Sequence, residues 1–364
     1  MSEVRSTGQG PGAVREGPPQ RFEILDIAKG LCIILVVYGH IARGMINPDT
    51  PWLQFVDVLI YTFHMPVFFL ISGFLAARPV PSEKTLLKLW SLAYLYVVWS
   101  LITVLAKVLL SMVGTVNTPS TFQDLIRIGY APIGTLWFLY ALIIVQALAP
   151  LARHTPMLAL ALSLLVDGLA TALRNPGIRI LADTAFHAPY FFAGLAMGAG
   201  ALPWPWQPRW ARPTMAAAAG ALLVGGSLVV TATGGRPVSF VTVPLSMLGI
   251  GLVFRASRPL VGRAAGDHFA WLGRNSLSIY LIHVLVLPVI PRLAGLLGLR
   301  DSAAFQLPLG TLLGVYGSLA CALALSRLGL SDMLGLDGRL PEPLLRRFRA
   351  FQTAAGGERP TSPR

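Results

Sequence analysis

The sequence predicts an all-α, polytopic membrane helix bundle with about ten transmembrane helices and both termini in the cytosol. Composition is the first ground. Of 364 residues, 54% are hydrophobic and only 12% are charged, with a mean hydropathy of +0.65. Soluble domains carry about 25% charged residues. Segmentation is the second ground: apolar runs long enough to cross a bilayer repeat along nearly the whole chain. The third is the placement of Lys and Arg.

The elements follow in chain order. Residues 1–20 are rich in Gly, Pro, Ser and charge, and read as a disordered cytosolic tail without a secretory leader. A helix needs roughly 20 mostly apolar residues to span the membrane. Runs of that kind lie near 24–46, 52–76, 86–113, 134–152, 157–173, 184–201, 214–233, 238–256, 272–297 and 306–330. The fifth and sixth are short and flanked by Pro and Gly. Together, residues 21–332 form one membrane domain, and residues 333–364 read as a basic cytosolic tail. With the N-terminus inside, Lys and Arg favour cytosolic segments by roughly three to one, as the positive-inside rule requires. The outer loops keep a minority, Arg43 and Arg127 among them. No stretch between spans is long enough for a fused soluble domain.

The net charge of +13 does not mark a nucleic-acid binder, because the basic residues are scattered over loops and tail. Cys32 and Cys321 both lie in apolar runs and form neither a disulfide framework nor a zinc site. No metal is expected, and no internal repeat supports a duplicated transporter.

Ionisable side chains inside spans mark function by default, because hydrocarbon offers them no water. In the first span, Lys29 and His40 are eleven positions apart. That is about three turns, so they share a face about 16 Å apart along the axis. Asp26 sits one turn before Lys29 on that side. Asp26 and Lys29 read equally well as an interfacial ion pair with a snorkelling lysine. In the second span, Asp57, Tyr61 and His64 follow at i, i+4 and i+7, and Pro66 interrupts the backbone ladder just beyond. The ninth span repeats that spacing with Ser276, Tyr280 and His283. Trp137 serves either an interfacial aromatic belt or stacking on a substrate. His187 is expected to face a loop, and His154 and His268 solvent.

The stretch from Arg21 to His40, the run Phe63-His64-Met65-Pro66-Val67-Phe68-Phe69-Leu70-Ile71-Ser72-Gly73-Phe74, Leu136-Trp137-Phe138-Leu139, Phe191-Phe192-Ala193-Gly194 and Asn275-Ser276-Leu277-Ser278-Ile279-Tyr280-Leu281-Ile282-His283 resemble the acyltransferase-3 membrane O-acyltransferases. The fucose 4-O-acetylase-like branch is the most similar. The resemblance implies transfer of an acetyl group from cytosolic acetyl-CoA, a substrate rather than a bound cofactor, to a hydroxyl of an envelope or extracellular glycan. It also implies a multi-pass protein of the cell membrane. The family's basic residue, ten-residue gap and histidine are matched by Lys29 and His40, with Lys where many members carry Arg. A point charge replaces a bidentate fork there. The roles that follow make His40 the first choice of base and His64 the second. Lys29 would lie on the donor side with Asp26 orienting it. Asp57, Tyr61, Trp137, Ser276, Tyr280 and His283 would bind substrate. A transporter or flippase of a glycan or lipid-linked intermediate is the competing class. Acceptor, oligomeric state and protein partners are not encoded legibly.

Overall fold

The computed structural model describes residues 20–47, 50–113, 120–173, 179–204, 212–234, 239–299 and 302–355. The N-terminal tail expected over residues 1–20 lies almost wholly outside them. Among the described residues there are helices and turns and no strand. The bundle begins with a hairpin. Helix α1 (Gln20–Gly44) turns back into α2 (Pro51–Ala76) through a short loop. Thr50 Oγ1 accepts from the Asn47 N–H at 2.9 Å and reaches the Met45 carbonyl at 3.1 Å, which closes that loop. Pro51 opens α2 where its missing N–H has no intrahelical partner to lose.

The chain continues through α3 (Ser82–Val113), the one-turn α4 (Asp124–Arg127) and α5 (Trp137–Ala152). Helices α6 (Pro156–Leu173), α7 (Arg179–Gly198), α8 (Pro213–Ala232) and α9 (Ser239–Ser257) follow. Then come α10 (Ala264–Arg274), α11 (Ser276–Val286) and α12 (Val289–Leu296). A π turn at Leu313–Gly317 joins α13 (Ala303–Leu312) to α14 (Ser318–Arg327), and α15 (Glu342–Ala355) ends the described chain.

Among the described residues, six helical runs are long and apolar enough to cross a membrane: Glu23–Gly44, Pro51–Ala76, Ser82–Met112, Gly134–Ala152, Pro213–Ala232 and Ala303–Arg327. The pair α10 and α11 makes a seventh if it is one broken span. Helices α6, α7 and α9 fill the other expected ranges without meeting that standard. The outward faces agree with lipid. Leu101, Leu105 and Leu109 line one side of α3, and Leu158, Leu162, Leu165 and Leu169 line α6, all exposed. Apolar stripes of that size on a protein surface mark contact with an apolar phase or partner.

Glycine sets how closely the central helices cross. A Cβ on Gly30 would sit 1.9 Å from the Phe269 carbonyl oxygen, and one on Gly273 would sit 1.8 Å from that of Asp26. Helices α1 and α10 therefore touch backbone to backbone. The same device joins α2 to α7: a Cβ on Gly73 would lie 1.8 Å from Phe191 O, and one on Gly194 1.9 Å from Leu70 O. In lipid, where burial of apolar surface drives little association, such approach supplies the packing energy. Two apolar cores result. One gathers α1, α2, α5, α7 and α9 around Phe69, Phe191 and Phe254, and the other gathers α1, α3, α11 and α13 around Ile33, Trp99 and Ile282.

The continuous ninth span expected over 272–297 is not present. It is broken at Asn275, where α10 and α11 meet at 71°, and again before α12. The close crossing of α10 on α1 fixes the first segment's direction, and α11 must turn to run beside the upper half of α1. The stretch assigned to the tail also starts inside the bundle. Trp99 Nε1 donates to the Leu334 carbonyl at 3.0 Å and Ser278 Oγ to that of Leu336 at 3.2 Å, with Leu336 and Leu340 buried.

Candidate functional site

Three helices bring the candidate residues together. His40 lies near the end of α1, Tyr61 and His64 in the middle of α2, and His283 in α11. The imidazoles of His40 and His283 are 5.2 Å apart between ring centroids. On its other side His40 meets the Tyr61 ring edge-on at 6.3 Å, and Tyr61 meets His64 edge-on at 4.5 Å. The order across the chamber is thus His283, His40, Tyr61, His64. Gly39 admits the tyrosine, since a Cβ there would lie 3.1 Å from Tyr61 Cε2.

Hydrogen bonding fixes the tautomers. His64 Nδ1 is 2.7 Å from the Ile60 carbonyl, and His283 Nδ1 is 3.1 Å from that of Ile279. A carbonyl only accepts, so each Nδ1 carries a proton, and in the neutral form each ring presents a lone pair at Nε2. Both Nε2 atoms are buried without a hydrogen-bond partner, and so is the Tyr61 hydroxyl. Buried polar atoms are nearly always satisfied, so unsatisfied ones clustered in one place call for an explanation. Here His40 adjoins one of them, His283, and the Tyr61 hydroxyl, with His64 on the far side of Tyr61.

The hairpin also closes the chamber on one side. Arg43 reaches from α1 to Asp57 on α2, with Nε and Nη2 donating at 3.2 and 3.0 Å to the two carboxylate oxygens. Its guanidinium carbon lies 3.7 Å from the Tyr61 ring centroid. Asp57 is therefore engaged by Arg43 and does not stand open toward a ligand. Arg43 went unassigned among the outer-loop charges, although its place one turn after His40 put it on the same face.

About four helical turns from His40, Asp26 forms a second polar group. Lys29 Nζ is 2.7 Å from Asp26 Oδ1, and Arg274 Nη1 is 4.0 Å from Asp26 Oδ2. Lys29 and Asp26 are both partly buried, whereas Arg274 is exposed. Arg274 directly precedes the break at Asn275, and its recruitment could be read only once that break was known.

Tyr280 and His283 approach each other at 6.2 Å, and the Tyr280 hydroxyl donates to the Thr135 carbonyl at 2.5 Å. Ser276 lies at the start of α11, half-buried, below the histidine chamber. The predicted shared face thus brings in Tyr280 and His283 but leaves Ser276 at the bend. Trp137 faces inward, its ring tilted by 40° against His187 at 4.8 Å between centroids. His187 does not face a loop. It is 8% exposed, stacks 4.9 Å from Phe69, and donates from Nδ1 to Asp183 O at 2.7 Å. Its helix runs beside α2, locked there by Gly73 and Gly194, which turns this side chain into the bundle. His154 and His268 are exposed.

Pro66 disrupts one backbone bond, as expected, because it has no N–H for the Thr62 carbonyl. Ser246 of α9 donates its hydroxyl to that carbonyl and accepts from the Tyr190 hydroxyl at 2.9 Å. Neighbouring helices thus satisfy the freed group, as the bilayer interior demands. Among the described residues no group of His, Cys, Asp or Glu is arranged to hold a metal ion.

The profile of an acyltransferase domain family, acyltransferase 3, matches residues 22–327. The chain is 30% identical over 152 residues to the nodulation protein NolL of Mesorhizobium japonicum, which is 39% of this chain and 38% of that protein. It is 42% identical over 71 residues to the nodulation protein NolL of Sinorhizobium fredii, 19% of each chain. The matched stretches thus span well under half the length of these relatives. No solved structure is significantly similar.

Proposed function

The chain belongs to the acyltransferase-3 family, and from that premise we propose that it moves an acetyl group from cytosolic acetyl-CoA to a hydroxyl of an envelope or extracellular glycan, using histidine as general base. The observation that carries this reading is the row of rings around His40, with unsatisfied Nε2 atoms on His283 directly beside it and on His64 beyond Tyr61. Acyl transfer to a hydroxyl needs a base within hydrogen-bond reach of the departing proton. A chamber of neutral imidazoles inside an apolar bundle provides one.

His40 takes the proton in this reading. It lies between the other groups, and its neighbours His283 and His64 hold or orient the incoming hydroxyl. Lys29, oriented by Asp26, meets the donor from the cytosolic side, with Arg274 adding a second positive charge there. Tyr280 and Trp137 line the acceptor side. The protein works as a multi-pass protein of the cell membrane with both termini in the cytosol.

The hydroxyl oxygen attacks the thioester carbonyl carbon while its proton passes to the His40 imidazole. The tetrahedral intermediate collapses by breaking the carbon–sulfur bond. The imidazolium then returns the proton to the thiolate, which leaves as coenzyme A.

The test uses membrane vesicles carrying the full chain, supplied with radiolabelled acetyl-CoA. The acetylated product is measured together with thiol release. His40→Gln is expected to abolish both while the protein inserts and unfolds at an unchanged temperature. His64→Gln should lower the rate. A folded His40→Gln protein that still acetylates refutes the base assignment. Acceptor movement across the membrane without thiol release would favour transport instead.

A further inference from the structure

We propose that the Tyr61 hydroxyl is the oxyanion donor of this reaction, an assignment that rests on the acyl-transfer reading above. The chamber needs two kinds of group. A lone pair must accept the proton of the attacking hydroxyl, and an N–H or O–H must donate to the carbonyl oxygen as it becomes negative. The histidines supply the first kind. His64 and His283 direct Nδ1–H to the carbonyls of Ile60 and Ile279, so as neutral imidazoles they offer only an acceptor at Nε2. Arg43 gives its Nε–H and one Nη2–H to Asp57 and lies half-exposed over the face of Tyr61, on the solvent side of the ring rather than among the imidazoles. Lys29 lies about three turns away, in its ion pair. The Tyr61 O–H is buried next to His40 and His64, and it has no partner. It bonds neither imidazole, although the unpartnered His64 Nε2 lies on the adjoining ring. A buried hydroxyl left without an acceptor is unfavourable unless a ligand supplies one. The carbonyl oxygen of a bound thioester would.

The ring is also held in place from three sides. Gly39 lies against its edge, the Arg43 guanidinium covers its face at 3.7 Å, and His64 meets it at 4.5 Å. A donor fixed before the reaction stabilises developing charge without reorganising, which is where such groups gain their effect. As the hydroxyl oxygen bonds to the carbonyl carbon and its proton moves to His40, the carbonyl π electrons move onto oxygen. Tyr61 donates its O–H to that oxygen and keeps its proton. When the carbon–sulfur bond breaks, the carbonyl reforms and the hydrogen bond relaxes.

Tyr61→Phe tests this in the full-length protein in lipid nanodiscs. The probe is the ketone analogue of acetyl-CoA, in which a methylene replaces sulfur, labelled with carbon-13 at the carbonyl. Isotope-edited infrared spectra of the bound analogue should show the carbonyl stretch lowered in wild type and in His40→Gln, and raised toward the free value in Tyr61→Phe. In vesicles with acetyl-CoA, Tyr61→Phe should lower kcat by roughly 10²–10³-fold with KM for acetyl-CoA unchanged. Gly39→Ala, which displaces the ring but keeps the hydroxyl, should give an intermediate loss and an intermediate band. It serves as the second variant if Tyr61→Phe fails to fold. An unmoved band in a folded Tyr61→Phe protein, or a kcat within a few-fold of wild type, overturns the assignment alone. If wild type does not bind the analogue, the acyl-CoA reading falls and the assignment falls with it.

Discussion

Adding one methyl group where α1 crosses α10 should loosen the bundle and disable the histidine chamber together. In Gly30→Ala the new carbon would start 1.9 Å from the Phe269 carbonyl oxygen, and in Gly273→Ala 1.8 Å from that of Asp26. A comfortable carbon–oxygen contact is about 3.3 Å, so the helices must part locally by about 1.4 Å. The obstacle is backbone and cannot rotate away. Overpacking of this kind costs about 1–3 kcal/mol. Each substitution should therefore lower the unfolding temperature in detergent by several degrees. The two costs should not add in the double variant, because helices already parted by one methyl have room for the other. Activity should suffer more than stability. His283 is carried by the helix that follows this crossing, and a displacement near 1 Å in a reacting constellation can cost about 10²-fold in rate. Gly225→Ala in α8 is the control, since nothing lies within 4 Å of its would-be Cβ. It should be neutral or slightly stabilising. Unfolding temperatures of Gly30→Ala and Gly273→Ala equal to that of the control would refute the backbone-contact account.

Other consequences follow from the same contacts. Arg43→Met and Asp57→Asn should each reduce acetyl transfer, with Asp57→Asn nearly silent once Arg43 is gone; additive losses in the double variant would mean the two act separately. Gln146 Nε2 donates to Ser72 Oγ at 2.7 Å between α5 and α2, and Gln146→Leu should cost about 0.6–1.7 kcal/mol by unfolding in bilayer-like detergent. Cys32 is buried and Cys321 exposed, both as free thiols, so a small apolar maleimide should label Cys321 in the folded protein and both only after denaturation. Truncation after Pro341 should leave the bundle stable, whereas truncation before Ser331 should destabilise it by stripping Trp99 and Ser278 of their partners; equal unfolding temperatures for the two would contradict the docking of residues 333–340.

Much of this site was legible in the sequence because hydrocarbon leaves few reasons for an imidazole. His40, His64 and His283 stood out by that logic, and helical spacing placed Tyr61 beside His64 and Tyr280 beside His283. What spacing along one helix cannot give is which helices meet. Asp57 has the right phase to face a ligand, yet Arg43 occupies it across the hairpin. Ser276 has the right phase too, but it sits at the first position of α11, beside the bend and about two turns from His283. His187 looked like a loop-side residue because only its distance from the end of a span was visible. Its inward orientation depends on Gly73 and Gly194, whose contacts are between helices. The break at Asn275 carries no proline, so periodicity ran through it unmarked.

The crossing of α1 on α10 has a metrological side. His40 stands ten positions beyond Gly30, and His283 ten positions beyond Gly273. The two imidazoles are thus the tips of two arms of equal residue count, hinged where the backbones touch. The first arm is about 15 Å of continuous helix, and the second turns by 71° at Asn275 and runs on through α11 to His283. Tilting of the outer helices, or a change in bilayer thickness, acts on the arms in common and leaves the gap between tips nearly unchanged. On the proposed use of both rings, a protein in a fluid, deformable solvent gains from gauging that distance locally, across one hinge, rather than across the whole bundle.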